Sequence, residues 1–402
     1  MNALIVSFED ERWGAIRLVK ALNERGLAVA ALCPPNHAMT QTRFARRLYV
    51  LNDVKNGRRI ETALSKAMRD WLPTLLIPGD ERAVAFLHAL MRRAESGAPT
   101  LLDERSLCVL ADSLGDYEHY NALLMKSETV ALARRLGLRT PMGGGASTAP
   151  EAVACAERAG FPVYVKQSFS WAGQGVVCCN GPEEVASAFK RMQARYKNPL
   201  FAMAKRLLHR DWYPTNSGVD VQKAIDGSPA FYAALAWKGE MLAGFAGAVL
   251  RTTSECGPSS VVRLGPHEEM AHMSSEMIAA TGATGFVGFD FMIERETRNA
   301  FLLECNPRPV QCCHLGARIG VDLCQVLAEA MRGDVKPRPP AVREETVALF
   351  PQAWRPGAEA FAGFDGFVDA PLDDQALLTR MTRYPSEKKL NHGSSMIHGR
   401  QA

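Results

Sequence analysis

The chain has 402 residues, of which 47% are hydrophobic and 22% charged, a composition typical of a globular protein with a sizeable core. Its formal net charge of +4 comes from 47 basic and 43 acidic residues and is too small to indicate a nucleic-acid or anionic-membrane partner. No apolar run approaches the roughly 18 residues of a membrane span, and the N-terminal apolar run is too short for a signal peptide. We therefore expect a cytoplasmic protein with no nucleic-acid or membrane partner.

The N-terminal part of the chain alternates predicted strands and helices. Strands are predicted at residues 3–8, 27–33, 48–51 and 74–78, with helical patterns between them. Such alternation is typical of a doubly wound lobe with a parallel sheet. The first predicted strand is not followed by a GxGxxG motif, so the lobe does not resemble a standard dinucleotide site.

A lysine in the middle of the chain lies in a predicted strand, 163–167. Lys166 is surrounded by β-branched and aromatic residues, where a charge is out of place unless it meets an anion. The loop that follows contains Ser168, Gly173 and Gly175. Glycines let backbone N–H groups approach phosphate oxygens closely, which favours a phosphate-binding loop. A plain hairpin with a glycine turn is the alternative.

For three other segments, the sequence pattern alone does not show whether the residues belong to a binding site or to the solvated surface. They are Lys126, in a helix predicted from about 116 to 136; Gln222, Lys223 and Ile225, on a strand predicted at 219–225; and Arg251, beside a Gly-Pro-Ser loop. Each depends for its interpretation on the segments around it.

Two apolar runs, 286–293 and 300–305, flank a polar turn and predict a β-hairpin. Asp290 then falls opposite Glu304, and Glu304 and Asn306 share a face because alternate strand residues point the same way. Buried carboxylates are costly unless a positive charge neutralises them. Mg²⁺ takes oxygen ligands and is usually held by one or two carboxylates together with substrate phosphates. The hairpin therefore predicts a metal site formed by these three side chains.

The hairpin resembles the metal-binding end of the ATP-grasp superfamily. In that superfamily an acid on one strand and a Glu-x-Asn on the next hold two Mg²⁺ ions against the ATP phosphates, and an arginine often follows. Asp290, Glu304, Asn306 and Arg308 fill these positions. The resemblance implies ATP and two Mg²⁺ ions as cofactors, with Mn²⁺ as an alternative metal.

The same resemblance extends to the upstream segments, which occur in the expected order. It implies that Lys126 and Lys166 reach the ATP phosphates and that the loop from Ser168 to Gly175 covers them. It also implies adenine binding at the hinge formed by Gln222, Lys223 and Ile225, and contacts of Arg251 and Arg308 with the transferred phosphate or the acyl phosphate. Glutamine replaces the usual glutamate at the hinge, but its amide oxygen can still accept from the adenine amine.

The expected fold class is α/β, with an N-terminal doubly wound parallel lobe followed by a two-lobed α+β ATP-grasp fold. The expected domains are an N-terminal α/β domain at 1–112, an ATP-grasp domain at 113–338 with its small lobe at about 142–225, and a C-terminal extension at 339–402.

The implied activity is that of an ADP-forming carboxylate–amine ligase, with a small-molecule carboxylate and an amine as substrates. A biotin-carboxylase-like enzyme is disfavoured because Cys312 stands where such enzymes have a basic glutamate, six residues after Asn306. A non-catalytic ATP-binding module is disfavoured because the lysines and the metal ligands are all present. The identities of both substrates and a homodimeric state stay open.

Overall fold

Three β-sheets organise the chain in the computed structural model. The described residues are 1–10, 13–170, 175–193, 203, 205–214, 218–254, 257–335, 343–354 and 364–382. Each sheet packs against helices that bury its apolar side chains. No helix in the described part of the chain is long and apolar enough to cross a membrane.

The first sheet has four parallel strands in the order β3-β2-β1-β4. Its strands are β1 Asn2–Val6, β2 Ala28–Cys33, β3 Arg47–Val50 and β4 Leu75–Pro78. Its helices are α1 Trp13–Glu24, α2 Gly57–Trp71, α3 Glu81–Glu95 and α4 Glu104–Leu114. Asn56, Asp80 and Asp103 cap α2, α3 and α4 by accepting from the backbone of the first turn. The predicted doubly wound lobe is confirmed, and its strand order changes direction between β1 and β4, where ligands of open parallel sheets bind.

Two short helices connect this lobe to the next sheet. They are α5 Tyr120–Leu124 and α6 Lys126–Arg135. The single helix predicted from 116 to 136 is therefore wrong. The backbone of Met125 is extended, with φ −106° and ψ 121°, and the N–H of Lys126 donates to the carbonyl of Ser168 at 2.9 Å. This break makes Lys126 the first residue of α6 and turns it toward the loop after Lys166.

The second sheet lies within residues 142–225, where the small lobe is predicted, and has the order β5-β8-β6-β7, with antiparallel neighbours. Its elements are β5 Gly143–Ala146, α7 Ala149–Ala159, β6 Val163–Gln167, β7 Val176–Cys179, α8 Pro182–Gln193 and β8 Val219–Lys223. Val163, Val165, Val219 and Val221 are buried in one cluster with residues of α7 and α8. Because side chains alternate along a strand, the polar residues between these valines face the other way.

The third sheet has seven strands in the order β13-β12-β9-β10-β11-β14-β15, antiparallel except for the last pair. Its strands are β9 Gly227–Trp237, β10 Glu240–Thr252, β11 Ser259–Gly265, β12 Gly285–Glu294, β13 Ala300–Asn306, β14 Glu345–Leu349 and β15 Phe367–Asp369. Its helices are α9 Glu268–Thr281 and α10 Leu323–Arg332. The hairpin predicted around Asp290 and Glu304 is β12–β13, and the two acids are direct partners in its register.

The region after this hairpin contains one short 3₁₀ helix and one α-helix. Only α10 is α-helical, and a short 3₁₀ helix, Gly316–Ile319, precedes it. Gly320 ends that turn with a left-handed φ of 92°, and Asp322 starts α10 by accepting from the N–H of Gln325.

The last described helix, α11 Gln375–Thr382, packs against the N-terminal lobe. Asp374 accepts from the hydroxyl of Thr42 at 2.6 Å, and Arg380 donates to the carbonyl of Asn36. The C-terminal region thus ties the first and third sheets together. The domain boundaries drawn after residues 112 and 338 stay predictions.

Candidate nucleotide and metal site

Two carboxyl groups lie side by side on the β12–β13 hairpin. Asp290 and Glu304 are register partners, and the amide nitrogen of Asn306 donates to Asp290 Oδ2 at 3.3 Å. Burial and the adjacent charge of Glu304 raise the pKa of Asp290 well above its ordinary value. Two buried carboxylates repel each other and are costly unless a positive charge lies close to them.

Lys126 supplies one such positive charge. Its Nζ lies 2.7 Å from Glu304 Oε2 and also donates to the carbonyl of Ser170. Burial alone would raise the pKa of Glu304, but the charge and hydrogen bond of Lys126, the hydrogen bond with Asp290 and the charge of Lys166 together lower that pKa to about 2. The break before α6 is what brings Lys126 to this acid.

Lys166 belongs to a buried polar chain on β6 and β8. Its Nζ donates to Gln222 Oε1 at 2.6 Å, and Gln222 Nε2 donates to Asp220 Oδ2 at 2.6 Å. Burial lowers the pKa of Lys166, and the charges of Asp220 and Glu304 oppose that effect. Sequence reasoning missed Asp220, although an acid between Val219 and Val221 is as much out of place as Lys166 is in its own strand.

The loop after Lys166 contacts the start of α6. The hydroxyls of Ser127 and Ser168 lie 2.8 Å apart, and Ser168 is buried. Gly175 has a φ of +67°, and a Cβ on it would lie 2.6 Å from Gln167 Oε1, so the turn requires glycine. Gly173 lies outside the described residues.

Arg308 joins the hairpin to the N-terminal lobe. Its Nη2 donates to Glu81 Oε1 at 2.5 Å and to Asn306 Oδ1 at 3.2 Å. Glu81 is the first residue of α3, just past the end of β4, so it lies where the strand order changes direction. Sequence reasoning missed Glu81; an acid directly after a buried strand was the available signal.

Three predicted site residues make none of the contacts described above for the acid pair, the lysines and Arg308. The Nζ of Lys223 donates to the carbonyl of Phe161 at 2.7 Å, and Lys223 alternates in direction with Gln222. Ile225 is half-buried and follows the end of β8. Arg251 is exposed on β10, and the structure describes no hydrogen bond or ion pair from it to the acid pair. Their roles stay predictions.

The hairpin offers two carboxylates and an amide to a metal ion. Within the described ranges, no three His, Cys, Asp or Glu side chains form a metal-binding group. Asp290 and Glu304 with Asn306 nevertheless fit Mg²⁺, which needs only one or two carboxylates when phosphates complete its shell. The amide oxygen of Asn306 faces Arg308 and its nitrogen faces Asp290, so the amide would have to turn to present oxygen to a metal.

A cavity of about 1410 Å³ lies between α2, α3, α6 and the small lobe. Ser127 and Ser168 line it, whereas Asp290, Glu304 and Lys166 do not. The cavity therefore reaches the start of α6 and the loop after Lys166, but it does not enclose the charged residues described above.

Comparisons with known proteins match part of the chain to an ATP-binding domain. Residues 126–210 match the family model "Carbamoyl-phosphate synthase L chain, ATP binding domain". The carbamoyl phosphate synthase large chain of Gemmatimonas aurantiaca is 27% identical over 213 residues, which cover 51% of this chain and 18% of that relative. The chain thus spans about a fifth of the length of the first curated relatives it matches.

Solved structures share the fold across most of the chain. The biotin carboxylase domain of Hydrogenobacter thermophilus 2-oxoglutarate carboxylase superposes with a TM-score of 0.60 at 17% identity, covering 85% of this chain and 73% of that one. L-amino acid ligase from Bacillus licheniformis superposes with a TM-score of 0.53 at 14% identity, covering 86% and 79%. The matches extend through the N-terminal lobe as well as the two later sheets.

Proposed function

We propose that this chain, a member of the ATP-grasp superfamily, is an ADP-forming ligase that activates a small-molecule carboxylate and joins it to an amine. The observation that carries the proposal is the convergence of Asp290, Glu304 and Asn306 on one hairpin, where Lys126 of α6 contacts Glu304. Arg308 lies beside them, at the junction with the N-terminal lobe. A cytoplasmic location and a homodimer remain predictions.

The phosphate end of the site is defined by its positive charges. Lys126 and Lys166 bring two ammonium groups to the acid pair from α6 and β6. Asp290, Glu304 and Asn306 would hold Mg²⁺, which supplies positive charge to the phosphate oxygens during transfer. Little covalent chemistry is required of the protein in such a transfer, because positioning and charge stabilisation dominate.

The acceptor end of the site is defined by Arg308. A guanidinium has a planar fork that matches a carboxylate or an acyl phosphate in two parallel hydrogen bonds. Transfer of the γ-phosphate forms an acyl phosphate and ADP, and attack by the amine forms the amide and releases phosphate. Glu81 and Asn306 accept from Nη2 of the guanidinium and the Pro309 carbonyl accepts from Nη1, so an acceptor carboxylate would replace one of these partners.

A biotin-carboxylase-like reaction is the second candidate because of the likeness in fold. Cys312, which stands where a basic glutamate would be expected, is buried in the core beside Cys313 and Leu315. Burial raises the pKa of the Cys312 thiol well above its ordinary value, so this thiol stays protonated and cannot act as a general base. This observation favours the ligase.

Trapping with hydroxylamine tests the proposal without knowledge of the natural amine. The protein is incubated with ATP, Mg²⁺, hydroxylamine and one carboxylate at a time, and ADP and hydroxamate are measured. We expect equal amounts of ADP and hydroxamate with the accepted carboxylates, and neither product from Glu304→Gln.

Two other results would contradict the ligase. ADP formation with bicarbonate, and with no organic carboxylate across a broad panel, would support the carboxylating enzyme. Tight ATP binding without ADP formation under any of these conditions would support a binding module.

A further inference from the structure

Asp220 is an acid buried inside the small lobe, and neither the resemblance nor the proposed function gives it a role. It is fully buried on β8, between Val219 and Val221. Its Oδ2 accepts from Gln222, and its Oδ1 is buried without a hydrogen-bond partner among the residues that the structure describes. A buried carboxylate with one hydrogen bond costs stability unless a nearby charge compensates for it.

The compensating charge is on Lys166. In the β6–β8 register Lys166 faces Asp220, and Gln222 is its diagonal neighbour. Directly opposed and diagonal residues of an antiparallel pair share one face and can interact through long side chains. The Gln222 amide links the two charges, with Oε1 at the ammonium and Nε2 at the carboxylate, both at 2.6 Å.

The orientation of this amide follows from the two charges. In the observed orientation a carbonyl oxygen meets a cation and an N–H meets an anion, so both contacts are attractive. A flipped amide would place N–H groups against the ammonium and oxygen against the carboxylate, making both contacts repulsive. Asp220 thus selects the orientation in which Gln222 can hold Lys166.

We propose that Asp220 is a positioning residue that acts through Gln222 to hold the Lys166 ammonium ready for the nucleotide phosphates. The inference rests on the proposed function, which makes Lys166 a phosphate ligand. Groups fixed before the substrate arrives contribute most to charge stabilisation, because they do not reorganise during the reaction.

ATP and adenosine affinities of Asp220→Asn, measured by calorimetry, test the proposal. We expect ATP to bind about tenfold more weakly, in line with the loss of one charge-assisted contact. Adenosine, which lacks the phosphates that Lys166 is proposed to contact, should bind within about twofold of wild type. An equal loss for both ligands would mean that Asp220 serves the fold or the base pocket and would overturn the proposal, as would unchanged binding of both.

A cycle with Lys166→Met separates this inference from the proposed function. If Asp220 acts through Lys166, Asp220→Asn should have no further effect on ATP affinity once Lys166 is methionine. If Lys166→Met itself leaves ATP affinity unchanged, the phosphate role of Lys166 is wrong and the inference falls with it. A third outcome is that Lys166→Met weakens ATP binding and Asp220→Asn causes the same further loss in the wild-type and Lys166→Met proteins. In that case Lys166 binds phosphate, and only the positioning role of Asp220 is wrong.

The negative charge of Asp220 can also be moved to the neighbouring side chain, Gln222. The double variant Asp220→Asn/Gln222→Glu keeps one negative charge in the chain and places it directly against Lys166. We expect this variant to recover ATP affinity to within about threefold of wild type. Gln222→Glu alone should not improve binding, because it buries two adjacent acids. Failure of the double variant to recover any affinity, with its fold intact by circular dichroism, would contradict a role that depends on charge.

Discussion

Arg308 on the loop after β13 donates to Glu81 on the first turn of α3, with Nη2 and Oε1 2.5 Å apart. These residues are 227 positions apart in sequence and follow strands of different sheets. The same guanidinium contacts Asn306, a predicted metal ligand. One side chain therefore connects the acid pair to the edge of the parallel sheet where ligands usually bind.

Arg308→Lys should separate ATP binding from turnover. Lysine keeps the charge but loses the planar fork, so it cannot contact Glu81 and a carboxylate in the same geometry. We expect nearly unchanged ATP affinity and a fall in turnover of roughly tenfold to a thousandfold, in line with the loss of one preorganised contact. The measurements are calorimetry with ATP and hydroxamate formation at saturating carboxylate.

Arg318→Lys provides the matched control. Arg318 makes a bidentate ion pair with Glu345 at 2.9 and 2.6 Å, but it is exposed and outside the site. Its substitution should leave turnover unchanged. If Arg308→Lys abolishes ATP binding while turnover per bound ATP stays normal, Arg308 belongs to the nucleotide site and our placement of the carboxylate is wrong.

Glu304→Gln should abolish ADP formation without unfolding the protein. The substitution keeps the size of a side chain that is a predicted metal ligand and the ion-pair partner of Lys126, but removes its charge. Glu296→Gln, in the exposed turn of the same hairpin, makes the same change away from the acids and should be silent. ADP release across a Mg²⁺ titration is the measurement, and normal turnover of Glu304→Gln at saturating Mg²⁺ would refute the metal assignment.

The sequence carried enough information to predict the hairpin register and the α/β order. Apolar runs on both sides of a polar turn determine that Asp290 opposes Glu304, and periodicity reveals the parallel lobe. Such local patterns require no knowledge of distant contacts.

Long-range partners could not be predicted in this way. Glu81 meets Arg308 only because two lobes pack together, and no local pattern pairs residues so far apart. The break before Lys126 likewise depends on the carbonyl of Ser168, which takes the N–H that a continuous helix would have used. Asp220 was predictable in principle, since a charge inside an apolar strand is a local signal.

Trp212→Ala should destabilise the contact between segment 205–214, which precedes β8, and the N-terminal lobe. Trp212 is 9% exposed, packs edge-on against Phe8 and Phe86, and donates to the carbonyl of Lys55 at 3.1 Å. Removing a buried tryptophan costs about 3–5 kcal/mol. Trp354→Ala, at a 51% exposed position, should cost about 0.5 kcal/mol. Urea unfolding of both variants measures the difference, and equal costs would contradict an anchoring role for Trp212.

His88 on α3 should make the folded protein less stable at acid pH. This imidazole is buried, stacks on Tyr120 with ring centroids 3.9 Å apart, and has no hydrogen-bond partner on either nitrogen among the described residues. Burial, reinforced by the charge of Arg92, lowers the pKa of His88 from 6.5 to about 3. Between these two values the unfolded chain binds a proton that the folded protein does not, so stability falls as pH decreases below 6.5. From pH 7.5 to pH 5.0 the loss through His88 alone is about 2 kcal/mol.

His88→Phe keeps a ring stacked on Tyr120 and removes the titrating group, so this part of the acid sensitivity should disappear. We expect the difference in unfolding free energy between His88→Phe and wild type to shift in favour of the variant by about 2 kcal/mol between pH 7.5 and pH 5.0. Urea unfolding at several pH values across this window is the measurement. His37, whose pKa burial also lowers to about 3, is unchanged in both proteins, so its contribution cancels in the difference. Parallel stability curves for the two proteins would show that His88 is not buried in its neutral form.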